Sequence, residues 1–261
     1  MDWLDRLAQT ALETIASGYY DHVRPSALAD RPRRSLVQAI HNRGEAGRLA
    51  IIAEIKPASP SGGSLRVSTD TAKLARQLGT AGAAGLSVLT EPVYFRGSLQ
   101  NLREAGRSGR PTLMKDFLLA PVQLDAASAY GASATLLILT LFNRGYAQLG
   151  LAEMIGAAHD RGLEVLLEVN SPEEYRQAQE TQAEMIGINN RELASLQVDL
   201  GRTGAILAQA QKDRPVWALS GIETREDIQR LSAAGADAFL VGSSLMRSAD
   251  PAAKLAELIG G

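Results

Sequence analysis

The chain has 261 residues, 45 % of them hydrophobic and 21 % charged, with a formal net charge of −2. That length suits one α/β domain with a sizeable core, and the balanced charge excludes the basic footprint of a nucleic-acid binder while leaving room for a local anion site. There is no cysteine and there are three histidines, His22, His41 and His159, which excludes disulfides, thiol nucleophiles and cysteine–zinc sites and argues against a Ser-His-Asp triad or a metal-binding histidine cluster.

The first six residues, Met1-Asp2-Trp3-Leu4-Asp5-Arg6, lack the apolar core of a signal peptide. No run approaches the roughly 18 apolar residues of a membrane span, so a cytoplasmic location is expected. Residues 1–48 read as a helical extension. Leu4, Leu7, Ala8, Ala11, Leu12 and Ile15 recur at helical spacing, and a more polar helix is predicted between 31 and 47. The extension would cap an end of the following domain, cover a substrate, or simply add stability.

From 49 to 261, eight short apolar runs lie near 50–55, 84–89, 112–115, 134–139, 163–169, 184–188, 215–219 and 237–241. Helical patterns fill the intervals, among them 71–78, 147–155 and 225–231. Gly82, Gly85, Gly131, Gly162 and Gly235 mark helix ends before the next strand. Strands alternating with helices imply a parallel sheet, and eight such units predict closure into a (β/α)8 TIM barrel. An open doubly wound sheet is the alternative, but no Gly-x-Gly-x-x-Gly fingerprint follows the first strand. No linker marks a second independent domain.

Charged residues end several of these runs. With side chains alternating faces, Glu54 and Lys56 share a face with Ile52, Lys115 with Leu113, and Glu168 with Leu166. The sixth run adds Asn189 and, just beyond it, Arg191. A charge on a buried face is costly unless paired or working, and barrel closure would gather these strand ends around one mouth, where active sites of the fold lie. Mixed lysines and carboxylates there can divide acid and base roles. Taken singly, each could be an ordinary solvated strand end.

Ser220-Gly221 follows the seventh run, and Gly242-Ser243-Ser244 follows the eighth. Small-residue turns leading toward helices at these two places suit a phosphate group held by backbone N–H, although each alone could simply make a tight turn and cap a helix. The loop 56–63, rich in Pro, Gly and Ser, is expected to be a mobile cover over the mouth that carries Lys56 and Ser59, or else an ordinary surface loop. Phe95 and Phe117 would form an apolar wall for a ring, or belong to the core.

The chain also resembles the indole-3-glycerol phosphate synthase family along nearly its whole length. The motifs are Ile52-Ala53-Glu54-Ile55-Lys56 with Ser59-Pro60-Ser61, Ser87-Val88-Leu89-Thr90, Phe95 with Gly97-Ser98, Lys115-Asp116-Phe117, Leu167-Glu168-Val169, Gly187-Ile188-Asn189-Asn190-Arg191, Ser220-Gly221-Ile222 and Gly242-Ser243-Ser244-Leu245-Met246-Arg247. The resemblance implies a phosphate-binding TIM barrel of tryptophan biosynthesis that needs no metal or organic cofactor. Such enzymes convert 1-(o-carboxyphenylamino)-1-deoxyribulose 5-phosphate to indole-3-glycerol phosphate with loss of carbon dioxide and water.

By that resemblance Lys115 would be the general acid, Glu168 the acid–base group of the dehydration, Lys56 the anchor of anionic groups, Asn189 a positioner of hydroxyls, and Glu54 the residue that orients the lysines. Arg191, Ser220, Gly221, Gly242 and Ser243 would contact substrate or phosphate. The chain departs from the family at the seventh run, Val216-Trp217-Ala218-Leu219. Leu219 stands where the family usually has glutamate, and Trp217 where it commonly has a smaller aliphatic residue. Since Lys115 and Glu168 remain, this reads first as a tolerated substitution in a working synthase; the rival readings are a non-catalytic barrel that binds a phosphorylated ligand, or a repurposed or engineered barrel in which Glu54 or Glu168 acts as a base on an aromatic substrate.

Overall fold

The computed structural model describes residues 2–21, 33–59, 63–64, 70–192 and 194–260. Two helices come first, α1 (Trp3–Ala16) and α2 (Leu36–Glu45). Strand β1 (Ala50–Ile55) is followed by a small antiparallel hairpin of β2 (Ala58–Ser59) and β3 (Gly63–Ser64), then by α3 (Thr71–Thr80). The order continues β4 (Gly85–Leu89), α4 (Leu99–Gly106), β5 (Thr112–Lys115), α5 (Pro121–Ala129), β6 (Ala134–Ile138), α6 (Leu139–Asn143), α7 (Leu151–Asp160), β7 (Glu164–Val169) and α8 (Pro172–Gln179). It ends with β8 (Met185–Asn189), α9 (Gly201–Leu207), β9 (Val216–Leu219), α10 (Arg225–Ala233), β10 (Ala238–Val241), α11 (Ser243–Arg247) and α12 (Pro251–Ile259).

Eight of these strands, β1 and β4 to β10, close into a parallel barrel. The closed barrel, not the open sheet, is the architecture. Period-two alternation divides its side chains into two clusters. Ile51, Ala53 and Ile55 of β1 pack outward with Leu86, Val88, Leu167 and Ile188 under the helices. Ala50, Ile52, Leu113, Leu166, Trp217 and Leu219 fill the interior. Each fully buried aliphatic side chain contributes on the order of 1.5–3 kcal/mol.

The two leading helices cover opposite ends of the barrel. Buried Leu4, Leu7, Ala8 and Ala11 of α1 join the interior cluster together with Phe117 and Leu141, and Trp3 packs edge-on against Tyr94 at 5.5 Å. Tyr94 and Leu141 lie beyond the carboxyl ends of their strands, so α1 sits over the mouth. At the other end, Glu164, the first residue of β7, accepts from the N–H of Leu36 at 2.8 Å, and a methyl of Leu36 occupies the space beside Gly85. This carboxylate satisfies donors that the first turn of α2 would leave unpaired.

Two expectations need correction. Gly85 does not end a helix: it is the first residue of β4, and a Cβ there would meet Leu36 at 2.5 Å. Residues 147–150 are not helical; α7 starts at Leu151, because the Glu153 carboxylate accepts from the Gly150 N–H at 2.9 Å while Gln148 is tied to the Leu119 carbonyl at 2.7 Å. The loop after Lys56 includes the β2–β3 hairpin, and its residues 60–62 lie outside the described set.

Candidate active site

The inward residue at or next to the end of each barrel strand faces one cavity. Around the ring these are Glu54, Leu89, Lys115, Ile138, Glu168, Asn189, Leu219 and Leu240. The strands deliver half of them polar and half apolar, so the charges are spaced by hydrocarbon. Lys56, Phe95, Phe117, Arg191, Ser220, Gly221, Gly242 and Ser243 also line the cavity. Ser59 lies in the hairpin, and its side chain is outside the described set.

The charges resolve into two pairs. Lys56 Nζ is 2.7 Å from Glu54 Oε1, both on or beside β1. Lys115 Nζ is 3.7 Å from Glu168 Oε2, reaching across the strand that carries Ile138. Glu54 therefore engages one lysine, not both: β4 stands between it and Lys115, with Ser87 level with Glu54 and Leu89 level with Lys115. Asn189 Nδ2 donates to Glu168 Oε1 at 2.8 Å, while its Oδ1 accepts from the Arg191 N–H at 3.0 Å. That bridge holds one oxygen of Glu168 and leaves the other without a hydrogen bond among the described residues, facing Lys115.

Both glutamates are almost fully buried, and the lysines partly so. In such surroundings ion pairs are little screened and protons can move over short distances. Burial pulls the Arg191 pKa below its ordinary value, and the Glu54 carboxylate opposes that shift.

Phe95 and Phe117 lie 6.0 Å apart, tilted at 46°. Their backbone is held from outside the cavity. The Glu91 carboxylate accepts from the N–H groups of Val93, Tyr94 and Phe95, and Gln123 Nε2 donates to the Phe117 carbonyl at 3.0 Å. Leu7 of α1 adds to the apolar wall.

Ser220 and Gly221 both adopt left-handed backbone, with φ of 68° and 81°. They do not begin a helix, because α10 starts four residues later behind the Thr224 cap. Gly242 caps the five-residue α11, whose first N–H groups have no intrahelical acceptor. Glycine is required here for room as well: a Cβ on Gly242 would sit 2.4 Å from Glu54 Oε1.

Sequence reasoning missed Leu7, Leu196, Glu223 and a role for Arg247, which all line the cavity. Leu7 was legible only as part of a helical stripe. Arg247 Nη2 pairs with Glu223 Oε1 at 2.6 Å across the two small-residue turns. Trp217 is fully buried beneath the ring, and its indole N–H has no partner among the described residues. Leu219 fits because β8 has glycine beside it; a Cβ on Gly187 would lie 2.8 Å from Leu219 Cδ1. Among the described residues no group of three or more His, Cys, Asp or Glu could hold a metal ion, and no helix is long and apolar enough to cross a membrane.

Comparison with known proteins identifies the family. The family model described as indole-3-glycerol phosphate synthase matches residues 4–258. The chain is 43 % identical over 233 residues to an indole-3-glycerol phosphate synthase of Koribacter versatilis, covering 89 % of this chain and 88 % of the relative. It is 36 % identical over 253 residues to the Exiguobacterium sibiricum protein of the same name, covering 97 % and 95 %. Among solved structures, 3-hexulose-6-phosphate synthase superposes with a TM-score of 0.64 at 16 % identity, over 80 % of this chain and 98 % of that one. A Mycobacterium tuberculosis tryptophan synthase structure gives 0.61 at 14 % identity, over 87 % and 98 %. These two share the fold alone. A family match across nearly the whole chain, together with relatives 43 % and 36 % identical over most of its length, makes this protein a member of the indole-3-glycerol phosphate synthase family.

Proposed function

We propose that the protein is a carboxy-lyase that closes the indole ring of 1-(o-carboxyphenylamino)-1-deoxyribulose 5-phosphate, releasing carbon dioxide and water. The observation that carries this reading is the chain Lys115–Glu168–Asn189 at the mouth, next to the Phe95–Phe117 wall and opposite the Ser220–Gly221 and Gly242–Ser243 turns. A ring, a carbonyl and a phosphate each meet a suitable surface.

In this scheme the phosphate binds backbone N–H groups at the two turns, with Arg191 beside them. Lys56 pairs with the ring carboxylate, and Glu54 holds the Lys56 ammonium in place. The aryl ring lies against Phe95 and Phe117. The ring carbon bearing the carboxylate bonds to the ketose carbonyl carbon while Lys115 protonates the carbonyl oxygen. The carboxylate leaves as carbon dioxide, and its bonding electrons restore the aromatic ring, so no electron-sink cofactor is needed. The new hydroxyl then departs as water, protonated by Lys115 after solvent has returned the proton it gave to the carbonyl oxygen. Glu168 Oε2, the oxygen that Asn189 leaves open, removes the proton on the route to the indole double bond. Asn189 orients both Glu168 and the substrate hydroxyls.

The test is indole fluorescence after the carboxyphenylamino substrate is added to purified protein. Lys115→Ala should lower turnover by roughly 10²-fold or more, the range for a positioned general acid, with folding unchanged. Folded wild-type protein that gives no product would refute the reaction, and a Lys115→Ala variant of normal rate would refute the acid.

A further inference from the structure

Asp116 is a buried ionisable group that the scheme above leaves unused. It lies between Lys115 and Phe117, which both line the cavity, and its own side chain is turned away and buried, only 3 % exposed. Among the described residues no cation pairs with it. Three donors hold it instead. Its Oδ2 accepts from the Tyr20 hydroxyl at 2.9 Å and from the Thr90 hydroxyl at 2.5 Å; its Oδ1 accepts from the Phe117 N–H at 2.8 Å.

Two of those donors are part of a larger clamp. The Thr90 N–H donates to the Lys115 carbonyl at 3.1 Å, so Thr90 grips both residues of the Lys115–Asp116 step. Tyr20 follows α1 and is fully buried. Its neighbour Tyr19 packs edge-on against it at 4.9 Å, donates to the Thr90 carbonyl at 3.3 Å and accepts from the Leu99 N–H at 3.2 Å. The segment that follows α1 is thus bonded to the strand ends that carry Lys115.

A clamp made only for stability would be better served by an apolar residue, since a buried, unpaired carboxylate is expensive. Burial does push the Asp116 carboxyl up to about 6, in spite of its three donors. A residue kept at that cost, at the one position between two cavity-lining side chains, points to a requirement of the site. Small errors in the placement of a reacting group cost large factors in rate.

We infer that Tyr20 is a positioning residue for the reaction: its hydroxyl, acting through Asp116 and Thr90, sets the backbone on which Lys115 is mounted. The N-terminal extension then serves the chemistry as well as covering the mouth. This rests on the assignment of Lys115 as the general acid.

The experiment compares Tyr20→Phe, Thr90→Val and Thr90→Ser with the wild type, each alone and the first two also combined with Lys115→Ala, well below their melting temperatures. Tyr20→Phe keeps the ring and removes one hydroxyl. It should lower kcat about tenfold with KM changed less than twofold. Thr90→Val should do the same, and Thr90→Ser, which restores the hydroxyl, should keep most of the wild-type rate. In the Lys115→Ala background the Tyr20→Phe change should have no further effect, because Tyr20 acts through Lys115. If wild type is active and Lys115→Ala is not, yet Tyr20→Phe and Thr90→Val turn over normally, the inference fails and the proposed reaction stands. A tenfold loss that persists in the Lys115→Ala background overturns it too, as that is the mark of a general structural effect. Should Tyr20→Phe not fold, the Thr90 pair decides by the same criterion. An inactive wild type would instead count against the proposed reaction itself.

Discussion

Gly187 on β8 and Leu219 on β9 are diagonal neighbours, Gly187 level with Trp217 and Leu219 level with Asn189, and their contact can be tested as a unit. A methyl group at Gly187 would stand 2.8 Å from Leu219 Cδ1 and 3.3 Å from Leu166 Cδ1, against an ordinary carbon–carbon contact of about 3.5–4.0 Å. Gly187→Ala therefore overpacks the barrel interior and should destabilise by about 1–3 kcal/mol. Leu219→Ala removes a side chain that is 1 % exposed. It should cost about 2–5 kcal/mol, toward the low end because the side chain borders the open cavity. In the double variant the added methyl enters the space the leucine vacates. The combined loss should then fall short of the sum by about 0.5–3 kcal/mol. Urea unfolding followed by circular dichroism and by the fluorescence of buried Trp217 provides the measurement, with coincident transitions as the check on two-state behaviour. Additivity within about 0.5 kcal/mol would refute the claim that glycine at 187 is what admits leucine at 219.

Other predictions concern the charges. The Asp116 carboxyl is pushed up to about 6 by burial, from 3.8, with Glu91 adding to the rise while Thr90, Tyr20 and the Phe117 N–H oppose it. The folded state thus binds the proton more tightly than the unfolded one, so this contribution is fully present below about pH 4 and lost as pH rises toward 6. At about 1.4 kcal/mol per pKa unit it amounts to no more than about 3 kcal/mol. Wild type should therefore gain on Asp116→Asn in urea midpoint as pH falls from 7 to 4.5; a constant difference would count against it. Gly242→Ala should displace Glu54, loosen the Lys56 pair and raise KM severalfold, and unchanged kinetics would show that the side chain has room to move. Leu219→Glu places a carboxylate next to Asn189 and should raise turnover in the indole assay if the missing charge limits the rate. A loss of turnover would show that packing with Gly187 and Trp217 has adapted to leucine.

Much of the site was legible because strand parity is local. Alternation alone put Glu54, Lys115 and Glu168 on the same faces as Ile52, Leu113 and Leu166, and each lines the cavity. The helix 147–155 was misread at its start because the tie of Gln148 to Leu119 is a tertiary bond that no spacing records. Gly85 looked like a helix end because its real constraint is a methyl of Leu36, 49 residues earlier in the chain. Gly242 suggested a turn for phosphate, and its second reason, space for Glu54, depends on a neighbour at the far end of the sequence.

Eight strands, the face each side chain takes and the family could all be read along the chain, since periodicity and motif order are one-dimensional properties. Tertiary structure alone decided which charge meets which. Barrel closure and register pair Lys115 with Glu168 across Ile138 and confine Glu54 to Lys56. It also sent α1 over the mouth and α2 beneath the barrel, and brought Tyr20 to Asp116 across 96 residues. Such distances depend on how strands stagger and close, and local side-chain alternation carries no record of either.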